Sequence, residues 1–165
     1  MTTEVIIADY QNPQQAADIS LLLNSYAQDP MGGGQALPSF VQKNLALELA
    51  KVPNAFSVLC YVDGKPAGLT NCLQGFSTFK CKPLINIHDV VVVSGFRGNQ
   101  ISQHMLQKVE QVAVDRGCCK ITLEVLEGNT VAKNAYLKFG FAGYVLDPEM
   151  GKAMFWEKGL WPLKF

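Results

Sequence analysis

The stretch INIHDVVVVSGFRGNQISQHMLQKVE, Ile85 to Glu110, decides how the rest of the chain is read. An apolar run from Val90 to Val93 ends in a turn at Ser94-Gly95, and helical spacing of apolar residues begins just past Arg97-Gly98. A strand that turns into a helix presents the helix's first N–H groups, which lack intrahelical partners and sit at the positive end of the helix dipole. Such an end is a ready seat for an anion. The unbroken valines predict a central strand buried on both faces.

Around this stretch, composition sets the bounds. A chain of 165 residues is expected to form one domain over 1–165, large enough to bury a core. Hydrophobic residues make up 48% and charged ones 17%, a balance that excludes disorder. Lys plus Arg and Asp plus Glu are each 14, and no basic stripe alternates with aromatics, so no nucleic-acid partner is expected. No apolar run approaches the ~20 residues of a membrane span. The opening MTTEVIIADYQ lacks the basic-then-apolar order of a signal peptide, so neither a membrane nor export is expected. Cys60, Cys72, Cys81, Cys118 and Cys119 form no C-x-x-C pair and have no companion histidine spacing. No metal site or disulfide framework is expected, and an odd number of thiols fits a reducing cytoplasm.

Taken in order, Glu4 to Ala8 reads as a strand, and Asn12-Pro13 opens a helix that gives out near Ala27. The glycine run Gly32-Gly33-Gly34 interrupts regular structure before a second helix, Ser39 to Lys51. Ala55 to Val62 and Lys65 to Phe76 are strands joined at the hairpin signal Asp63-Gly64. Leu84 to Val93 is the central strand, Asn99 to Arg116 a helix stopped by Gly117, and Lys120 to Leu126 a further strand. A helix from Gly128-Asn129 to Lys138 follows. Gly143 to Leu146 and Ala153 to Lys158 read as closing strands, and Trp161 and Phe165 are expected to pack on the sheet or on the second subunit of a homodimer. This order is mixed α/β.

Two segments resemble one family. Arg97-Gly98-Asn99-Gln100-Ile101-Ser102 is similar to the Q/R-x-x-G-x-G/A pyrophosphate loop of the GNAT N-acetyltransferase superfamily, with Gln100 and Ser102 standing where that pattern has Gly and Gly or Ala. Asn129 to Phe141 resembles the family's N-x(6)-Y-x-K-x-G-F segment, with the Asn129-to-Tyr136 spacing kept. The resemblance covers essentially the whole chain. It implies the GNAT (acyl-CoA N-acyltransferase) fold, a mixed central sheet with splayed central strands and flanking helices. It also implies acetyl-CoA as donor and direct attack on its thioester by a primary amine, expected to belong to a small molecule.

The same resemblance distributes roles. Arg97, Gly98, Asn99, Gln100, Ile101, Ser102 and Gln103 would offer amides to the pyrophosphate, and the backbone of Val90, Val91 and Val92 would bond pantetheine like an added strand. Asn129 would bond the pantetheine arm; on its residue type alone it is a helix N-cap. Tyr136 matches the tyrosine near the CoA sulfur, a donor for the departing thiolate. His88 and Glu124 are the candidate bases beside solvent water, His88 because imidazole changes protonation near neutrality and because strict alternation would put it on the face of Val90 and Val92. Met31, Phe76 and Phe79 would form an apolar mouth for the acceptor. The rival reading is a non-catalytic CoA or acyl-CoA-binding module whose phosphate loop has drifted at Gln100 and Ser102.

Overall fold

Along β2 (Phe56–Val62), Phe56, Val58, Cys60 and Val62 alternate with Ser57, Leu59 and Tyr61, and all but Tyr61 are buried. Alternation with burial on both sides means that β2 lies between two layers. The computed structural model, which describes residues 1–160, shows them. β1 (Thr3–Ile7), β2, β3 (Lys65–Ser77), β4 (Lys82–Val92) and β5 (Ile121–Leu123) form one sheet in that spatial order. The first four strands run antiparallel, and β5 lies parallel to β4.

Helices cover both faces. On one, α3 (Ile101–Asp115) sets Ile101, Met105 and Val109 against Phe56, Val58, Ile85 and Ile87. These residues recur at four-residue spacing, the stripe a helix needs to bury one face. α4 (Thr130–Phe139) adds Tyr136 to the same core. On the other face, α1 (Pro13–Gln28) packs Ile19 and Leu22 on Leu59, Leu69 and Val91, with α2 (Ser39–Leu49) alongside. Asn12 starts α1 by accepting the N–H groups of Gln14 and Gln15 at 3.0 and 3.2 Å, with Pro13 in the first turn.

The sequence reading and the structure part company at β5 and again after α4. β5 ends at Leu123 rather than Leu126, and the expected closing strands Gly143–Leu146 and Ala153–Lys158 do not form. Apolar and aromatic residues around the Asp147-Pro148 turn suggest extended chain, but a ladder also needs a neighbouring edge to pair with. β5 is three residues long, and residues 152–160 make no hydrogen bond among the described residues. Met154, Phe155 and Trp156 are accordingly exposed. Trp161 and Phe165 lie outside the described residues. Among the described residues no helix is long and apolar enough to cross a membrane.

One close approach sets where α3 begins. A Cβ built on Gly68 would lie 2.8 Å from Ile101 Cγ2 and 2.9 Å from Met105 Sδ. Gly68 therefore lets the first turn of α3 rest directly on β3. Gly68→Ala should destabilise the fold by about 1–3 kcal/mol through overpacking, read as a lowered midpoint in urea with an unchanged slope.

Candidate active site

The site begins where the sheet comes apart. β4 and β5 pair only through Ile85↔Ile121, Asn86↔Thr122 and Ile87↔Leu123. Asn86 Nδ2 donates to Thr122 Oγ1 at 3.0 Å across the joined part. On the other edge of β4, Asn71 faces Asp89 and Cys72 faces Ile87, so His88 is an unpaired bulge residue.

That extra residue reverses the alternation of side chains. Ile85 and Ile87 belong to the α3 core and Val90 and Val92 pack on the same core, whereas Val91 joins the α1 core. The expectation that His88 shares a face with Val90 and Val92 therefore fails, because simple alternation does not run through a bulge. His88 is exposed, with Nδ1 3.5 Å from Asn86 Oδ1. Val93 donates its N–H to Ala67 on the β3 side at 3.0 Å. By backbone alternation Val91 also turns its groups to β3, and Val90 and Val92 turn theirs to the side that β5 has left.

The separation opens a cleft of about 380 Å³. It brings together Tyr136, His88, Glu124, Asn129, Met31 and Val90, all singled out in the sequence. Phe76 and Phe79 do not line it; Phe76 pairs with Pro83 at the far end of the β3–β4 hairpin, and both rings are exposed. Tyr26, Asp89 and Phe155 do line it. Asp89 reaches the cleft although it points away from Val90, since a gap in a sheet is open to both faces. No spacing signal marks Phe155, which arrives on an irregular segment; Tyr26 stands at the start of the segment 26–35 that the family resemblance sets at the acceptor side, and Asp89 could have been found only by knowing the bulge.

Two hydroxyls and a carboxylate shape the interior. Tyr136 is only 9% exposed, and its hydroxyl has no hydrogen-bond partner among the described residues. Burial, with Tyr26 nearby, pushes its pKa up to about 12, so the phenol keeps its proton. Burial also raises Tyr26, followed by the charges of Asp89 and Asp29. Asn129 caps α4 by accepting the N–H of Ala132 at 3.2 Å.

Beside the cleft, the amides of residues 98–103 have no acceptor among the described residues. Gly98 and Gln100 both have positive φ, +86° and +59°, and left-handed residues in such a turn bend successive N–H groups into an anion-sized concavity. Side chains of the loop are partly spent: Asn99 Nδ2 donates to Phe96 O at 3.1 Å, and Gln103 Nε2 to Ala135 O at 3.0 Å. Arg97 pairs with Asp29 at 3.2 Å, tying this loop to the one after α1. The Met31 amide, then Arg97, hold the Asp29 carboxyl below its ordinary pKa.

Residues 20–141 match the Acetyltransferase (GNAT) family. The chain belongs to that family. It is 33% identical over 84 residues to a thialysine N-epsilon-acetyltransferase of Bos taurus, covering 47% of this chain and 48% of that one. The Sus scrofa protein of the same name is 32% identical over the same span. The chain thus spans about half the length of the curated relatives it matches. In structure it resembles an aminoglycoside acetyltransferase from an uncultured soil metagenomic sample, with TM-score 0.77 at 12% identity over 96% of each chain. It also resembles AAC(6')-Iy in complex with a CoA bisubstrate analog, with TM-score 0.75 at 14% identity over 97% of this chain and all of that one.

The departure of this GNAT chain at Gln100 has a backbone meaning. The position is left-handed, where a residue with a Cβ is strained and glycine is not. Gln100→Gly should raise unfolding free energy by about 1 kcal/mol, the order of the left-handed penalty less the added chain entropy. Denaturant titration of both proteins measures it.

Proposed function

We propose that this GNAT protein is an acetyl-CoA-dependent N-acetyltransferase whose acceptor is a primary amine of a small molecule. The observation that carries the reading is Tyr136, whose ring is buried while its unpartnered hydroxyl stays accessible, lining the cleft at the place where β4 loses its neighbour. Family membership makes acetyl-CoA the donor to test, and the surroundings fit it. Residues 98–103 offer a row of unspent amides suited to a pyrophosphate. Val90 and Val92 offer the backbone edge along which an amide-bearing arm can lie, with Asn129 at the cleft wall.

Acetyl-CoA supplies the acetyl group as a thioester. The protein's part is to orient and to move protons. A backbone N–H on the open edge of β4 can face the carbonyl oxygen, where negative charge grows during attack. Tyr136, protonated across the physiological range, donates toward the sulfur. His88 and Glu124 stand on the exposed rim, either able to take the proton that the acceptor's ammonium must lose. The substrates named for the similar proteins, thialysine and aminoglycosides, are amines small enough for such a cleft.

Isothermal titration with CoA and acetyl-CoA, followed by thiol release over a panel of amines, tests the reading. Binding accompanied by amine-dependent thiol release is expected; binding without release from any amine would leave a CoA-binding module instead. Tyr136→Phe should cut kcat by about 100-fold or more while CoA affinity stays within about twofold, since the phenol acts on the leaving group and not on the nucleotide. With its pKa raised, the Tyr136 phenol loses its proton only as pH rises toward about 12. An alkaline fall in rate near pH 8 or 9 should therefore keep its position in Tyr136→Phe; a shift of that limb would show that Tyr136 titrates there.

A further inference from the structure

Behind the cleft, a buried line of polar groups leads from α1's approach to one carboxylate. Tyr10 Oη lies 2.9 Å from Ser57 Oγ, Ser57 Oγ donates to Asn71 Oδ1 at 2.6 Å, and Asn71 Nδ2 donates to Asp89 Oδ2 at 2.9 Å. Because the Ser57 proton goes to Asn71, the Tyr10 hydroxyl donates to Ser57. Every donor in the chain therefore points toward Asp89. Ser57 is fully buried and Asn71 is 4% exposed, so water does not compete for these bonds. Chains of bonds that run one way strengthen each other and hold their last member in a fixed orientation.

The far end of this chain is the cleft. Asp89 Oδ2 is engaged, while Asp89 Oδ1 takes no hydrogen bond among the described residues. Across the cleft stands Glu124, and among the described residues no lysine or arginine lines it. Tyr26 lies within electrostatic reach of both Asp89 and Tyr136, and all three line the cleft. A fixed carboxylate with an open oxygen beside a reaction centre accepts a cationic donor. The reacting nitrogen must be neutral when it attacks, so that cation is a different nitrogen of the same molecule.

We propose that Asp89 seats a second, non-reacting ammonium of the acceptor, and that Tyr10, Ser57 and Asn71 are positioning residues that aim its carboxylate. The acceptor class is then a compound with two basic nitrogens, one acetylated and one anchored. This deepens the transferase reading and rests on it for the identity of the reacting nitrogen. The anchoring itself is a matter of binding and can be measured without turnover.

The probes are an α,ω-diaminoalkane and the monoamine of equal length, titrated calorimetrically into the CoA-bound protein and then assayed with acetyl-CoA. The diamine should bind the wild type about tenfold or more tightly than the monoamine, as a charge-assisted bond implies. Asp89→Asn, which keeps the shape and the Asn71 contact, should erase that preference. Tyr10→Phe, remote from the cleft, should weaken the diamine about three- to tenfold, as a rise in KM with kcat held; thermal melting confirms that both variants fold. Equal binding of the two amines by the wild type overturns the proposal, as does a diamine preference that survives Asp89→Asn. An equal loss of kcat for both amines in Asp89→Asn would make Asp89 part of the chemistry and also overturn it. Asp89-dependent diamine binding without thiol release would uphold the subsite and defeat the transferase reading instead.

Discussion

The architecture depends on the shortness of one ladder. β4 and β5 share three residue pairs and then separate, and nothing among the described residues replaces β5 along the upper part of β4. A sheet buried between helices ordinarily satisfies every backbone group within its ladders. Here the open edge of β4 faces a cleft, where a ligand or water can meet those groups. The bulge at His88 acts on the same strand from its other edge, reversing which side chains face which helix layer just where the strands part. The split and the bulge together open a gap through the sheet that collects side chains from both faces.

What surrounds the gap is a division of labour between two helix layers. α3 rests on β3 through Gly68, which fixes the height of the free amides at its start. α4 delivers Tyr136 and is tied to α3 by Gln103, which donates to Ala135 O one residue before the phenol. From the opposite layer, the Asp29–Arg97 pair joins the segment carrying Met31 to the loop preceding α3. An exposed ion pair of this kind adds little stability. Its consequence is geometric, because the loop after α1 and the loop before α3 are in contact through it.

Much of this was legible in the residues. Asn12-Pro13, Asp63-Gly64 and Gly117 mark element ends by local chemistry, and the structure places its boundaries within a residue or two of them. The four-residue stripe of α3 and the valine run of β4 are equally local signals. The segment after α4 was not legible. Ala153 to Lys158 is rich in apolar and aromatic residues, as a strand can be, yet it has no edge to pair with, and composition carries no information about a partner. Phe76 and Phe79 illustrate the same limit: aromatic residues in a loop near the central strand suggest a mouth, but the hairpin carries them away from it.

The sequence by itself determined the element order, the capping of the helices and the apolar stripes that divide the core into two layers, since each follows from contacts between residues a few positions apart. It also determined the chemistry available at the amide row after Arg97. Only the tertiary structure decided that Asp89 and Tyr26 meet Tyr136 in one cleft, that His88 leaves the face of the valines, and that Tyr10 reaches Asp89 through Ser57 and Asn71. The reason is register. A one-residue slip between β3 and β4 turns every later side chain to the other face, and that slip is set by how two strands pair, not by what either strand spells.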